Sequence, residues 1–151
     1  KRVEDLEAAV ELAFREYDSV IIEESIVGRE LTNGIYQDGE QLVKLPVTEI
    51  VTTREFFDYE AKYLGESQEI CPAQIPCELT LRIQETTEKI YRYMGCSGLV
   101  RMDYIVRGEE IFFLETNTVP GMTPMSLVPA QVRAAGIPMS KFFSTLIENI
   151  R

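Results

Sequence analysis

The amino-acid sequence predicts an α+β fold in which helices flank an antiparallel sheet. Strand-like runs come in two adjacent pairs, and a tight-turn signal separates each pair: Asp38-Gly39 in the first and Arg107-Gly108-Glu109 in the second. Helical patterns precede, separate and follow these pairs. This order is typical of antiparallel hairpins with helices packed on them.

The first half of the chain changes from helical to strand-like periodicity. Apolar residues recur at helical spacing over residues 3–17, which predicts an amphipathic helix. Residues 19–24 form an apolar run that we expect to be a short buried strand. Residues 29–37 and 41–50 are expected to pair across the Asp-Gly turn, with Pro46 indicating an edge strand or a bulge.

The middle of the chain combines a long irregular stretch with the clearest helix. Residues 52–75 lack periodicity, and an ordered stretch of that length is usually a functional loop. Residues 76–95 have apolar positions at helical spacing, and Gly95 is a plausible helix end because glycine tolerates the left-handed conformation. We therefore expect a loop followed by an amphipathic helix.

The last third of the chain contains the second hairpin and two closing helices. Residues 97–106 and 110–117 are rich in β-formers and are expected to pair. Residues 118–126 contain prolines, a glycine and hydroxyl side chains, which indicates a loop. Residues 127–135 and 139–150 are expected to be helices.

The composition is that of a globular chain and excludes several kinds of chemistry. The 151 residues suffice for one domain with a core, and 45% of them are apolar. A net charge of −10 disfavours nucleic acid or an anionic membrane as the main partner. The absence of histidine excludes histidine general bases and histidine zinc sites.

Cellular context is predicted from cysteine usage and from the absence of targeting signals. The three cysteines form no CxxC pair, so we interpret them as free, packing thiols in a reducing cytoplasm. No apolar run approaches the ~20 residues that a membrane span needs, and no signal peptide opens the chain. The sequence starts at Lys1 directly in a charged helical pattern, so we expect a fragment of a longer protein.

Polar side chains are concentrated on the second hairpin. Arg101 and Asp103 are two residues apart, and so are Glu115 and Asn117 on the partner strand. Because strand side chains alternate, antiparallel pairing can bring all four to one patch. Carboxylate and amide oxygens suit Mg²⁺, and an arginine fork suits an anionic group. Spacing alone favours the alternative, in which these are ordinary polar residues on the solvent face of a half-buried hairpin.

Two loops and one strand end contain further candidate residues. Gly121 allows backbone N–H groups to approach an anion, while Ser126 is either a helix N-cap or a substrate contact. Lys62 on the long loop could close over a nucleotide phosphate, although a solvated loop is the simpler interpretation. Glu23 and Glu30 could hydrogen-bond an adenine amine and a ribose diol, or they could be plain charges at strand ends.

These motifs, taken in order, resemble the C-terminal part of the D-alanine–D-alanine ligases, which are ATP-grasp enzymes. The resemblance extends over nearly the whole chain. The motifs that support it are Glu23 to Glu30, Tyr59-Glu-Ala-Lys-Tyr63, Cys71-Pro-Ala73, Gly98 to Asp103, and Leu114-Glu-Thr-Asn-Thr-Val-Pro-Gly-Met-Thr123 leading into Ser126-Leu-Val-Pro129. It implies an ATP-grasp C-terminal domain, with ATP and two Mg²⁺ ions, or Mn²⁺ in their place, as cofactors.

The resemblance also implies a role for each candidate residue. Asp103, Glu115 and Asn117 match the magnesium ligands, and Glu115 is shared between two ions. Ile26, Phe56, Ile105 and Leu114 match the apolar residues that line the adenine slot in the family. Glu23, Glu30 and Lys62 match the charged residues that contact the nucleotide. Arg101 and the backbone of Gly121 match the groups that stabilise charge on the reacting carboxyl, and Ser126 and Leu127 match the contacts to the carboxylate of the second D-alanine. Tyr63 matches a tyrosine on the family's loop.

The implied activity is the ATP-dependent joining of two D-alanines through D-alanyl phosphate for peptidoglycan synthesis in the cytoplasm. We expect the full enzyme to be a homodimer. We expect this chain to lack the N-terminal substrate domain and most of the central lid, and to be inactive alone. The sequence departs from the family pattern at Glu24, where lysine is frequent, and at Met125, where histidine is frequent.

Two alternatives stay open at this point. One is another ATP-grasp carboxylate–amine ligase with a different acceptor, and the matched acceptor contacts argue against it. The other is a non-catalytic module that keeps the fold for interaction only, and the complete set of matched metal ligands argues against that.

Overall fold

The centre of the protein is an antiparallel sheet, in a computed structural model that describes residues 3–52 and 67–149. Over these residues the sheet has six strands: β1 Arg29–Asp38, β2 Gln41–Lys44, β3 Thr48–Thr52, β4 Ser67–Ile70, β5 Leu99–Arg107 and β6 Glu110–Asn117. The strand order is β4-β3-β1-β5-β6, and β2 pairs with β1 beside this path. The predicted α+β class is thereby confirmed.

Helices pack on both faces of the sheet. Over the described residues the helices are α1 Leu6–Ala13, α2 Cys77–Tyr93, α3 Leu127–Ala134 and α4 Met139–Glu148, with a 3₁₀ turn at Val3–Asp5 before α1. Helices α2, α3 and α4 pack on the sheet, whereas α1 has no buried residue. The three later helices were predicted within two residues at each described end. The first helix is shorter than predicted, because α1 ends at Ala13. No helix in the described ranges is long and apolar enough to cross a membrane.

Both predicted hairpins form, and glycines make their turns. Asp38 pairs with Gln41 across a turn in which Gly39 has φ +60°. Arg107 pairs with Glu110 across a turn in which Gly108 has φ +59°. Glycine has no Cβ and adopts this left-handed conformation without strain, so these two positions fix where the strands reverse.

Three strand predictions were wrong. Residues 19–24 form no strand, and Ile21 and Ile22 are 82% and 65% exposed, because an apolar run becomes a strand only where a ladder partner lies beside it. The run 41–50 is two strands, since Pro46 cannot donate to a ladder and lies in the gap between β2 and β3. Strand β4 was missed, because its four residues, 67–70, show no alternation.

One face of the sheet packs against α2. The β5 residues of even number point to this face, and the cluster around them contains Ile83 and Tyr91 of α2. The hydroxyl of Tyr104 lies 2.8 Å from Oγ1 of Thr87 on α2, and burial raises the pKa of Tyr104 to about 12. Cys96 is half-buried, but Cys77 at the start of α2 is exposed, so the prediction of three packing thiols is wrong for Cys77.

The opposite face of the sheet is called the site face below, because the odd-numbered β5 residues Arg101, Asp103 and Ile105 point to it. Helices α3 and α4 cover only part of it. Phe142 of α4 makes an edge-to-face contact with Tyr36 of β1, with ring centroids 4.9 Å apart. The row of odd-numbered β5 residues stays half-buried beside these helices, which leaves polar side chains accessible on a rigid sheet.

Candidate functional site

The four polar residues of the second hairpin share one patch of the site face. Asp103 pairs directly with Glu115, and Arg101 pairs directly with Asn117. Directly opposed residues of an antiparallel pair point to the same side of the sheet, with Cβ atoms about 5 Å apart. The structure therefore brings these four side chains together, as their spacing had suggested.

A β-bulge in β6 makes this arrangement possible. Tyr104 pairs with Phe113 and Asp103 pairs with Glu115, so Leu114 is an extra residue without a partner on β5. A bulge inserts one residue and re-aims the side chains that follow it. Because of Leu114, Phe113 lies against Tyr104, with ring centroids 6.0 Å apart, while Glu115 points to the site face.

Asp103 is the most constrained carboxylate of the patch. Arg101 donates to it twice, from Nε to Oδ1 at 2.9 Å and from Nη2 to Oδ2 at 2.7 Å. The hydroxyl of Thr32 on β1 donates to Oδ1 at 2.5 Å. The side chains of Arg101 and Asp103 are only 13% and 14% exposed. A carboxylate this buried is tolerated because charged and neutral donors satisfy it.

Glu30 lies on the same face, further along β1, opposite Ile105. Burial raises the pKa of this carboxyl, the charge of Asp103 raises it further, and the positive charge of Arg101 lowers it. The raised pKa of Glu30 is therefore caused first by desolvation and second by the like charge of Asp103. Ile105 is half-buried beside it, and Leu114 at the bulge is 46% exposed. These residues form one edge of the patch.

The donor set of the patch fits a hard divalent cation. Asp103 and Glu115 offer carboxylate oxygens and Asn117 offers an amide oxygen, which are ligands that Mg²⁺ prefers. Asn117 Oδ1 also accepts a hydrogen bond from the N–H of Val119 at 3.2 Å, which orients the amide. Over residues 3–52 and 67–149, no three His, Cys, Asp or Glu side chains are placed to hold a metal ion by themselves, and the third oxygen donor of this patch is the amide of Asn117.

The loop after β6 approaches the helix that follows it. A Cβ on Gly121 would lie 3.0 Å from Oγ of Ser126, so glycine permits the close approach. Ser126 is the N-cap residue of α3, yet its side chain makes no capping hydrogen bond. Its Oγ instead accepts from the N–H of Thr123 at 3.1 Å and lies 2.8 Å from Thr123 Oγ1. The interpretation of Ser126 as a hydrogen-bonding N-cap is therefore wrong.

The other candidate residues lie away from the four-residue patch or outside the residues that the structure describes. Glu23 and Ile26 lie in the irregular segment before β1, and Glu23 is exposed. Phe56, Lys62 and Tyr63 lie in residues 53–66, outside the described residues. The departure at Glu24 faces a positive charge, since Oε1 of Glu24 is 3.5 Å from Nη1 of Arg107. Leu127 is only 7% exposed, and its N–H, in the first turn of α3, has no acceptor within the helix.

Two buried residues near the site were missed in the sequence. Gln131 of α3 is fully buried and accepts from the N–H of Gly34 at 3.0 Å. Its Nε2 donates to the carbonyl oxygen of Thr32 at 3.2 Å and to Oγ1 of Thr48 at 3.1 Å. A glycine inside a strand indicates that another group approaches the backbone closely, so Gly34 was the feature of the sequence that could have indicated a buried partner such as Gln131. No local signal pointed to Thr32.

Comparison with known proteins identifies the family. Residues 1–148 match the family described as D-ala D-ala ligase C-terminus. The chain belongs to this family. It is 49% identical over 150 residues to the D-alanine–D-alanine ligase of Phocaeicola vulgatus, covering 99% of this chain and 46% of that protein. The chain thus spans about half the length of the curated D-alanine–D-alanine ligases that it matches.

Solved structures of D-alanine ligases share its fold. The VanG D-Ala:D-Ser ligase from Enterococcus faecalis has a TM-score of 0.86 and 37% identity, covering 99% of this chain and 44% of that one. The D-alanine–D-alanine ligase from Bacillus anthracis complexed with ATP has a TM-score of 0.79 and 31% identity, covering 98% and 46%. The fold of the described residues is therefore that of the C-terminal part of these ligases.

Proposed function

We propose that the full-length protein is an ATP-dependent D-alanine–D-alanine ligase. In this proposal, the present chain supplies the residues that bind the metal ions and the second D-alanine, and most of those that bind the nucleotide. The single observation behind the proposal is the cross-strand set Asp103–Glu115 beside Arg101–Asn117 in a chain of this family. Such a set joins oxygen donors for a cation to a guanidinium for an anion. A patch retained only for interaction would need no such combination.

Asp103, Glu115 and Asn117 would hold two Mg²⁺ ions, with Glu115 shared between them. Bound there, the ions would offset the negative charge that otherwise keeps a carboxylate and the γ-phosphate of ATP apart. The bidentate bond from Arg101 holds the Asp103 carboxylate in a fixed plane on the sheet. The chain thereby supplies oxygen ligands that need little reorganisation when the cation arrives.

The reaction needs activation because a carboxylate is a poor acylating agent. Transfer of the γ-phosphoryl group to the first D-alanine gives D-alanyl phosphate and ADP. The amine of the second D-alanine then attacks the acyl carbon, and phosphate leaves as the peptide bond forms. Arg101 and the N–H of Gly121 are proposed to stabilise the tetrahedral oxyanion. One such donor is typically worth about 3 kcal/mol of transition-state stabilisation.

The remaining residues are proposed to position substrates. Ser126 Oγ and the N–H of Leu127 would bind the carboxylate of the second D-alanine at the start of α3. The adenine would lie in an apolar slot formed by Ile26, Phe56, Ile105 and Leu114. The charged side chains that would contact the nucleotide are Glu23, Glu30 and Lys62. Tyr63 is proposed to contribute to the exclusion of water from the acyl phosphate.

The proposal extends to the cellular role. The product would be a peptidoglycan precursor made in the cytoplasm, in support of the cell wall and of cell shape, and the full-length enzyme would be a homodimer. We also propose that residues 1–151 alone do not ligate, because the N-terminal substrate domain and most of the central lid would belong to the rest of the protein. D-Serine is the alternative acceptor, since one structural relative is a D-Ala:D-Ser ligase.

A matched pair of variants in the full-length protein tests the proposal. We expect ATP- and Mg²⁺-dependent phosphate release with D-alanine, with D-alanyl-D-alanine as the product. Glu115→Gln should lower turnover at least about a hundredfold, because it removes one charge from the proposed metal site. Glu110→Gln is the control, since Glu110 is an exposed carboxylate at the other end of β6.

Three results would contradict the proposal or redirect it. A wild-type protein that releases no phosphate with D-alanine would exclude the ligase activity. Faster turnover with D-serine as acceptor would replace the second substrate and keep the reaction type. Unchanged turnover in Glu115→Gln would exclude the proposed metal site.

A further inference from the structure

We propose that Thr32 is a positioning residue that selects which oxygen of Asp103 binds the metal; this role rests on the function proposed above. Thr32 lies on β1, directly opposite Asp103 on β5, so the two side chains share the site face. It is fully buried, and its hydroxyl is 2.5 Å from Asp103 Oδ1. Nothing in the local sequence around Asp103 indicates this partner, which is 71 residues away.

The hydroxyl of Thr32 has one proton and two neighbouring acceptors. Asp103 Oδ1 is 2.5 Å away, whereas the carbonyl oxygen of Met102 is 3.3 Å away. A short hydrogen bond to a charged oxygen is stronger than a long one to a neutral oxygen. The proton therefore belongs to the bond with Asp103. The Thr side chain is stiff at χ1, so this donor stays in place.

The donors around Asp103 are unevenly shared between its two oxygens. Among the residues that the structure describes, Oδ1 accepts from Thr32 and from Nε of Arg101, whereas Oδ2 accepts only from Nη2 of Arg101. A carboxylate oxygen has two lone-pair sites in the plane of the group. Those of Oδ1 are both occupied, so Oδ2 is the oxygen that has capacity left for a cation. Without the Thr32 hydroxyl, each oxygen would accept one bond from Arg101, and neither would be favoured for the cation.

The backbone of Thr32 is itself held in place by a hydrogen bond from α3. Its carbonyl oxygen accepts from Nε2 of Gln131, which is fully buried on α3. The same Nε2 donates to Oγ1 of Thr48, the β3 residue that pairs with Thr32. Thr32 is therefore held between α3 and Asp103. Outer-shell partners of this kind are typically worth about 10- to 100-fold in metal affinity.

Thr48 provides a matched control for Thr32. Both are fully buried threonines, they pair across β1 and β3, and each has one polar group that accepts from Gln131 Nε2. Of these two threonines, Thr32 is the one that donates to Asp103. The experiment uses the full-length protein with Thr32→Val, Thr32→Ser and Thr48→Val. Mn²⁺ is the probe, its binding is followed by electron paramagnetic resonance with a non-hydrolysable ATP analogue, and the Mg²⁺ dependence of phosphate release is measured in parallel.

We expect Thr32→Val to weaken Mn²⁺ binding about tenfold or more and to raise the half-saturating Mg²⁺ concentration similarly. Thr32→Ser should restore both to about the wild-type value, because it keeps the hydroxyl. Thr48→Val should leave both unchanged, even if it lowers the unfolding temperature. Wild-type Mn²⁺ binding in Thr32→Val, or an equal loss in Thr48→Val, would overturn the proposal.

The same measurements separate this proposal from the ligase proposal. A wild-type protein that binds Mn²⁺ but does not ligate D-alanine would overturn the proposed reaction, while the difference between Thr32→Val and Thr48→Val would still support the role of Thr32. A protein that ligates D-alanine with identical metal dependence in all variants would overturn only the role of Thr32.

Discussion

Phe113 and Glu115 are two residues apart in β6, yet they lie on opposite faces of the sheet. Phe113 lies against Tyr104, and Glu115 lies opposite Asp103. Strict alternation would place both on one face, and the unpaired Leu114 between them prevents this. One strand can therefore supply an aromatic ring beside the core and a carboxylate to the site face.

Arg101→Lys is expected to lower both the stability and the turnover of the full-length protein. Lysine is a point charge and cannot replace the two parallel hydrogen bonds to Asp103, so this buried carboxylate loses at least one of its donors. We expect a loss of about 1–3 kcal/mol in unfolding free energy and a large loss in phosphate release. Arg82→Lys is the control, because the partner of Arg82, Glu109, is 96% exposed. An equal effect of the two substitutions would contradict the prediction.

Gly34→Ala is expected to destabilise the protein by about 1–3 kcal/mol, because the added Cβ would lie 2.5 Å from Oε1 of Gln131. Gln131→Ala removes that atom, so the double variant should lose less stability than the sum of the single variants. Thermal unfolding of the full-length protein measures this. Gly39→Ala should add independently to Gln131→Ala, because its cost comes from a φ of +60°.

Glu30→Gln is expected to raise stability near neutral pH and to leave it unchanged in acid. The pKa of Glu30 is raised from 4.5 in the folded protein, chiefly by burial. Below pH 4.5 this residue is mostly protonated in both the folded and the unfolded states, because the folded pKa is the higher one. As pH rises from there, the unfolded chain ionises first, so folding loses stability until the folded pKa is passed.

The unfolding temperatures of Glu30→Gln and wild type, compared at about pH 4 and about pH 7, check this sign. Glu110→Gln, an exposed carboxylate on β6, is the control. A gain at acid pH that disappears at neutral pH would reverse the assignment.

Ser126→Ala separates the two roles that its position before α3 suggested. Because the side chain makes no capping bond, we expect the unfolding free energy to change by less than the ~1 kcal/mol that a lost N-cap costs. If Ser126 binds the second D-alanine, the KM for that substrate should rise about tenfold or more. Ser140→Ala in the first turn of α4 is the control. A clear loss of stability with an unchanged KM would show a purely structural role.

The sequence by itself determined the local features of this protein. Turn chemistry placed both hairpin reversals, and apolar periodicity placed α2 and the two closing helices. The spacing of Arg101 from Asp103, and of Glu115 from Asn117, put each pair on one face. These features depend on residues a few positions apart, so their pattern is visible in a short window.

Only the tertiary structure decided which distant residues meet. The contact of Thr32 with Asp103 spans 71 residues, and that of Gln131 with Gly34 spans 97. The Leu114 bulge and the split of residues 41–50 into β2 and β3 depend on how neighbouring strands register with one another. Register is set by packing across the whole sheet, because a shift of one residue reverses every side chain.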